Sequence, residues 1–225
     1  MSKLNYAPPV DKLLTMGDCR DFRKWPDYLE LGLNAEHIPD LIRMATDAKL
    51  NWADPASVEV WAPIHAWRAL GQLRAAAAIE PLLNLFDEMI DSDWIDETMP
   101  RVFGLIGPAA IPALSAFMAG TKHDMYARIA ASTCLEHIGN RHRAAKPACA
   151  AAVAAELEKF AGHDPTFNAF LISALIDLEA SEFLPLINRV FMADRVDESV
   201  VGDRDDVRAE FGLTQPGQSS RQLLM

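Results

Sequence analysis

Six acidic residues lie close together where one predicted helix gives way to the next: Asp87, Glu88, Asp91, Asp93, Asp96 and Glu97. Carboxylate oxygens are ligands for divalent cations, and such a run could also dock a basic partner. The spacing lacks the glycine and the closing glutamate of an EF-hand loop. The alternative is helix capping, with Asp93 as the N-cap and the next two acids stabilised by the helix dipole. The sequence favours capping and predicts no metal site here.

The densest aromatic cluster of the chain consists of Trp61, His65, Trp67 and Arg68. On a helix, Trp61, His65 and Arg68 lie on one side and Trp67 on an adjacent side. Such a cluster could stack a ring or a side chain of a bound peptide, so these three are candidate binding residues. The alternative, which the sequence favours, is packing between neighbouring hairpins with a salt bridge at the edge.

Three possible zinc ligands, Cys134, His137 and His142, lie near one helix end. The first two share a helical face, but no second ligand pair of zinc-finger spacing exists, so a packed core pair is predicted instead. The chain has no glycine-rich phosphate loop, no G-x-S-x-G elbow and no H-E-x-x-H helix. We therefore predict no catalytic residue, no metal and no cofactor.

A basic patch follows, made of Arg141, His142, Arg143 and Lys146. It could bind a phosphate or an acidic partner through charge-assisted hydrogen bonds. The interpretation that the sequence favours is a solvent-exposed loop leading into the next helix.

The elements that position these residues are helices, because apolar residues recur at helical three-and-four spacing and no convincing period-two strand is present. Between residues 56 and 193 the predicted helices are Ala56–Leu73, Ala78–Ile90, Asp93–Ile106, Pro108–Ala119, Asp124–Ile138, Ala144–Phe160, Pro165–Leu178 and Ser181–Ala193. Pro63 lies inside the first of them, so a kink or a later start is expected. Pro100 lies inside Asp93–Ile106, so a kink or a later start is expected there as well.

Similar tetrapeptides end alternate helices, and they begin at Leu70, Phe103, Leu135 and Leu175, which are 33, 32 and 40 positions apart. After each come small residues and a proline. Pairs of helices repeated at this length have too little core alone and must stack. The sequence therefore predicts an all-α superhelix of about five helical hairpins.

The segments Ala69–Leu73, Ala78–Leu83 and Ile106–Leu114 resemble HEAT-like repeats of the phycobilisome-lyase type. The resemblance covers roughly residues 28 to 193. It implies an armadillo-type superhelix with a binding role, in which the second helices of the hairpins line the concave side. The expected domains are an N-terminal cap at 1–24, the repeat domain at 25–193, and an acidic C-terminal cap with a flexible tail at 194–225.

Composition disfavours several classes of function. The formal net charge is -11, which disfavours binding to nucleic acid and to anionic membranes. Three unclustered cysteines, with no signal peptide and no apolar run long enough to cross a bilayer, indicate a cytoplasmic protein.

We therefore expect a non-enzymatic scaffold that holds a protein partner. The alternative implied by the resemblance is an enzyme like the bilin lyases and isomerases, or an accessory subunit of one. The candidate binding residues on the second helices and the segment that follows one of them are Asn84, Asp87, Glu88, Asp91, Asn188 and Arg189.

Overall fold

The regular secondary structure of the described chain is helical throughout, which confirms the all-α prediction. The structure is a computed structural model that describes residues 5–20 and 24–213. Its twelve α-helices are α1 (Ile38–Ala45), α2 (Ala48–Asn51), α3 (Ala62–Gln72), α4 (Ile79–Glu88), α5 (Asp93–Ile106), α6 (Ile111–Ala119), α7 (Met125–Arg141), α8 (Lys146–Leu157), α9 (Pro165–Asp177), α10 (Leu184–Met192), α11 (Glu198–Val201) and α12 (Arg204–Glu210).

Proline marks the first turn of several helices, where its missing N–H leaves no hydrogen bond unmade. Pro63 is the second residue of α3, so this helix begins at Ala62, which is the later start that the sequence allowed. Pro39, Pro81, Pro112, Pro147 and Pro185 lie in the first turns of α1, α4, α6, α8 and α10.

A short 3-10 helix leads into each of these five helices, at Ala35–His37, Ala76–Ala78, Pro108–Ala110, Arg143–Ala145 and Ser181–Phe183. The sequence showed small residues and a proline after each repeated tetrapeptide, but it did not predict 3-10 geometry there. Pro100 differs from the other prolines because it lies inside α5, and the helix continues through it.

The helices α3, α5 and α7 lie side by side, with α5 in the middle. A Cβ atom added to Gly71 would lie 3.3 Å from the Cα of Val102, and one added to Gly104 would lie 3.4 Å from the Cβ of His137. The repeated tetrapeptides are therefore neighbours in space. At the other ends of α3 and α5, the rings of Trp61 and Trp94 meet edge to face with centroids 5.5 Å apart. These two helices thus run in the same direction.

Aromatic side chains join α4 to α5 of this row and to α6. The Phe86 ring from α4 meets those of Phe103 in α5 and Phe117 in α6 edge to face, with centroids 5.8 and 5.7 Å apart. α4 also packs against α6. Such pairs add about 0.5–1.5 kcal/mol each to the gain from burial alone.

The chain divides into two compact units, residues 1–149 and 150–225. In the second unit, the buried Asn168 amide of α9 donates to the carbonyls of Phe160 and Arg195, at 3.1 and 2.8 Å. α11 packs against α9. Asp203 caps α12 by accepting from the backbone N–H of Asp205 and Asp206. Of the predicted acidic cap and flexible tail at 194–225, residues 214–225 lie outside the described residues.

Candidate functional site

A groove of about 640 Å³ crosses the C-terminal ends of α3, α5 and α7. Binding pockets for organic ligands typically measure about 300–1,000 Å³. The residues that line the groove are Lys24, Trp25, Gln72, Arg101, Gly104, Leu105, Glu136, His137, Asn140 and Arg141. All of them belong to the first unit.

The groove is basic although the chain as a whole is acidic. Lys24, Arg101 and Arg141 contribute three cations, and Glu136 contributes one carboxylate. Burial lowers the pKa of the Arg101 guanidinium, and repulsion from Arg68 and Arg141 lowers it further. The arginines are therefore close enough for their charges to repel one another.

The indole of Trp25 forms one wall of the groove and contacts two arginines. The guanidinium carbon of Arg101 lies 4.1 Å from the centre of the ring, and that of Arg68 lies 4.8 Å from it. Both distances suit cation–π attraction. The Arg68 side chain is 0% exposed, and it donates from Nη2 to the Cys19 carbonyl at 2.9 Å. Its buried Nε has no hydrogen-bond partner among the described residues.

Hydrogen bonds hold Trp25 and its neighbours against the end of α3. The side chain of Gln72 donates to the Pro26 carbonyl and accepts from the Tyr28 N–H, both at 2.8 Å. The Tyr28 hydroxyl donates to Nδ1 of His65 at 2.7 Å, and Nε2 of His65 donates to the Gly17 carbonyl at 2.8 Å. Segments on both sides of residues 21–23 therefore lie against α3.

This covering by residues 17–20 and 24–28 decides the environment of the predicted aromatic cluster. His65 is 2% exposed and Arg68 is fully buried, an environment that favours the packing alternative over a surface that stacks a ligand. Trp67 is also buried, and its Nε1 donates to the Ala45 carbonyl at 3.0 Å. Trp61 is half-buried, and Arg20 lies over its ring at 5.5 Å.

The acidic run is spread over the end of α4, the loop after it and the start of α5. Asp87 accepts from the N–H of Asp124 at 3.0 Å, and its other oxygen lies 2.6 Å from Nδ1 of His123. It thus fixes the loop before α7. The prediction of Asp93 as N-cap was wrong by one residue, because Ser92 holds that position and Asp93 begins α5.

The other candidate binding residues lie apart from the groove. Asn84, Glu88 and Asp91 are exposed on the first unit. Asn188 and Arg189 lie on α10 in the second unit, where Nη2 of Arg189 is 2.6 Å from a carboxylate oxygen of Glu158.

The three possible zinc ligands do not converge. Cys134 is completely buried, and burial raises its pKa well above the usual value. His137 is a half-buried wall of the groove, so only Cys134 fulfils the prediction of a core pair. His142 turns inward, with Nε2 2.9 Å from the Gly104 carbonyl. Within residues 5–20 and 24–213, no group of three His, Cys, Asp or Glu side chains is placed to hold a metal ion.

The basic patch divides in the structure. Arg141 lines the groove, whereas the exposed Arg143 does not. The groove was missed because its cations come from distant parts of the sequence. One signal existed: Arg68 and Arg101 each stand two residues before the repeated tetrapeptides at Leu70 and Phe103. Equivalent positions of stacked repeats lie next to one another, so the two arginines could have been expected to meet.

Comparison with protein-family models, curated proteins and solved structures finds no match for this chain. Among the described helices, none alone has both the length and the apolar character to cross a membrane; the pair Asp93–Ile106 and Pro108–Ala119 passes only when taken together, across a bend of 108°.

Proposed function

We propose that this chain is a non-enzymatic interaction scaffold, an armadillo-type superhelix of about five HEAT-like hairpins that binds a protein partner. Two features support the superhelix. The repeated tetrapeptides at the ends of α3 and α5 are neighbours in space, and both helices run in the same direction. α4 and α6, which follow these helices in the chain, also pack against each other. Hairpins that share one orientation can stack into a continuous core.

The observation that carries the binding role is the groove over α3, α5 and α7. Its surface comes from three helices that lie side by side, α3, α5 and α7, and from the segment at residues 24–25, so it exists only when the hairpins are assembled. Arg141 and Asn140 are exposed there, and long polar side chains of this kind suit contact with another protein surface. The partner-binding face of this proposal is therefore the groove.

Affinity capture from native cell extract tests the proposal when it is run with two charge reversals. Arg141→Glu changes a groove residue, and Arg143→Glu changes an exposed arginine nearby that does not line the groove. We expect the wild type and Arg143→Glu to retain one protein in fixed ratio, and Arg141→Glu to lose it.

Three results would overturn parts of this proposal. Equal capture of the partner by both variants would show that the groove is not the binding face. Co-purification of a small molecule without any protein would contradict the scaffold function. Bound colour after co-expression with a bilin would support the bilin-lyase alternative instead.

A further inference from the structure

We propose that the groove over α3, α5 and α7 binds an acidic segment of the partner protein, with carboxylates of that segment paired to Arg101 and Arg141. The inference rests on the proposed scaffold function and names the chemistry that the partner must present.

The charge contrast within the molecule is the first support. The formal net charge of the chain is -11, so the chain as a whole repels an acidic segment. The groove brings together Lys24, Arg101 and Arg141 against the single carboxylate of Glu136. An acidic segment is therefore attracted to this groove and repelled by acidic surface elsewhere. Such a contrast selects both the partner and the place where it binds.

The arginine behind the groove is the second support. Arg68 is fully buried, and none of the ion pairs in the described chain includes it. It donates to the Cys19 carbonyl and lies over the ring of Trp25, whose other arginine contact is Arg101. A buried cation without a paired carboxylate adds positive potential at the groove wall. Carboxylates bound at Arg101 and Arg141 would offset the repulsion among these guanidinium groups.

The accessible groups are the third support. Arg141 and Asn140 are exposed and stand next to each other at the end of α7, so they can donate hydrogen bonds to a ligand. Nucleic acid fits the groove less well, because its affinity depends on many neutralised phosphates, whereas three cations line the groove and the net charge of the chain is -11. An acidic peptide needs only a few carboxylates, spaced to reach the groove.

A labelled peptide tests this chemistry directly on the full chain. The probe is a capped hexaglutamate with a fluorophore, followed by fluorescence anisotropy at low salt of about 50 mM; a capped hexaglutamine is the matched control peptide. We expect hexaglutamate to bind and hexaglutamine not to bind. Arg141→Gln should weaken binding by about fivefold to tenfold, whereas Arg143→Gln should weaken it by less than about twofold.

Asn140→Asp is a second variant for the same assay, because it places a carboxylate in the groove at an exposed position. It should also weaken hexaglutamate binding. Thermal unfolding followed by circular dichroism checks that the three variants remain folded.

Several outcomes would overturn the inference: equal binding of the two peptides, an equal loss in Arg141→Gln and Arg143→Gln, or tighter Arg141-dependent binding of an oligothymidine. Displacement of hexaglutamate by inorganic phosphate at equal concentration would also overturn it, because the site would then select a small oxyanion. Failure of the scaffold is distinguishable. If a partner is captured but hexaglutamate does not bind, only the proposal of an acidic segment is rejected. If hexaglutamate binds but no protein is captured, only the scaffold function is rejected.

Discussion

The guanidinium carbon of Arg101 lies 4.1 Å from the centre of the Trp25 ring. This contact joins a residue near the start of the chain to the middle of α5. Because the guanidinium carbon of Arg68 lies 4.8 Å from the centre of the same ring, Trp25 is in contact with cations from two neighbouring helices, α3 and α5. The indole therefore fixes the position of both arginines at the wall of the groove.

We expect Trp25→Leu to lower the free energy of unfolding by about 1–2 kcal/mol, because two cation–π contacts are lost. Urea denaturation followed by far-UV circular dichroism measures the change. Trp52→Leu is the matched control: Trp52 is 68% exposed, and its replacement should change stability by less than about 0.5 kcal/mol. Equal effects of the two substitutions would contradict the structural role of Trp25.

Gly107 follows α5 and Arg74 follows α3, and both have a positive φ. We expect substitutions at these two positions to change the stability of the fold in opposite directions. Gly107 has a φ of +89°, and a Cβ added there would lie 3.0 Å from Nε2 of His142. Gly107→Ala should therefore destabilise the fold by about 1–2 kcal/mol. Arg74 has a φ of 51° and an exposed side chain, so Arg74→Gly should stabilise by up to about 1 kcal/mol.

Thermal unfolding of both variants beside the wild type checks this pair. The melting temperature should fall for Gly107→Ala and rise for Arg74→Gly. Shifts in the same direction would show that backbone conformation does not govern these two turns.

The buried His65 predicts a loss of stability in acid. Burial lowers its pKa from the usual 6.5; the hydrogen bond to Gly17 opposes this, and the charge of Arg68 adds to it. The folded state thus holds the neutral ring more strongly than the unfolded state does. Its contribution to stability is full above about pH 6.5 and is lost as the pH falls below that value, through the lower folded-state pKa.

Urea denaturation at a series of pH values between about 8 and 5 measures this dependence. His65→Gln should be less stable than the wild type near neutrality and should show a smaller fall in stability with acid. An unchanged pH dependence in this variant would contradict a neutral, buried imidazole.

The three cysteines are expected to react slowly with a thiol reagent in the native protein. Burial raises the pKa of Cys19 and of Cys149 to about 11, and that of Cys134 lies well above the usual value. Little thiolate is therefore present at about pH 8, and all three side chains are buried. Absorbance with Ellman's reagent should show slow modification without denaturant and three rapid equivalents in concentrated guanidinium chloride. A rapid native equivalent would contradict this expectation.

The sequence predicted those features of the fold that depend on local pattern. Pro63 correctly warned of a late start for α3, because proline belongs in a first turn. The same rule failed at Pro100, which lies inside α5 among buried residues, where packing outweighs the lost hydrogen bond. Packing between helices is not visible in a window of a few residues.

The candidate site was harder to predict because tertiary contacts create it. Helical spacing placed His65 and Arg68 on one side of a helix, but only their hydrogen bonds to the Gly17 and Cys19 carbonyls show that this side is covered. From the sequence, Arg141 was predicted to belong to a local basic patch. In the structure it lies at the end of α7 and lines a groove with Lys24 and Arg101. These cations are separated by long stretches of chain, so only alignment of the repeats could have suggested the site.

Site-specific photo-crosslinking tests the central claim most directly, because it compares the groove with the face that sequence analysis favoured. A benzoylphenylalanine replaces either Asn140, which is exposed in the groove, or Asn84, which is exposed on α4 outside it. After irradiation in native extract, we predict a protein adduct at position 140 and none at position 84. An adduct formed only at position 84, or at neither position, would contradict a protein partner held in the groove.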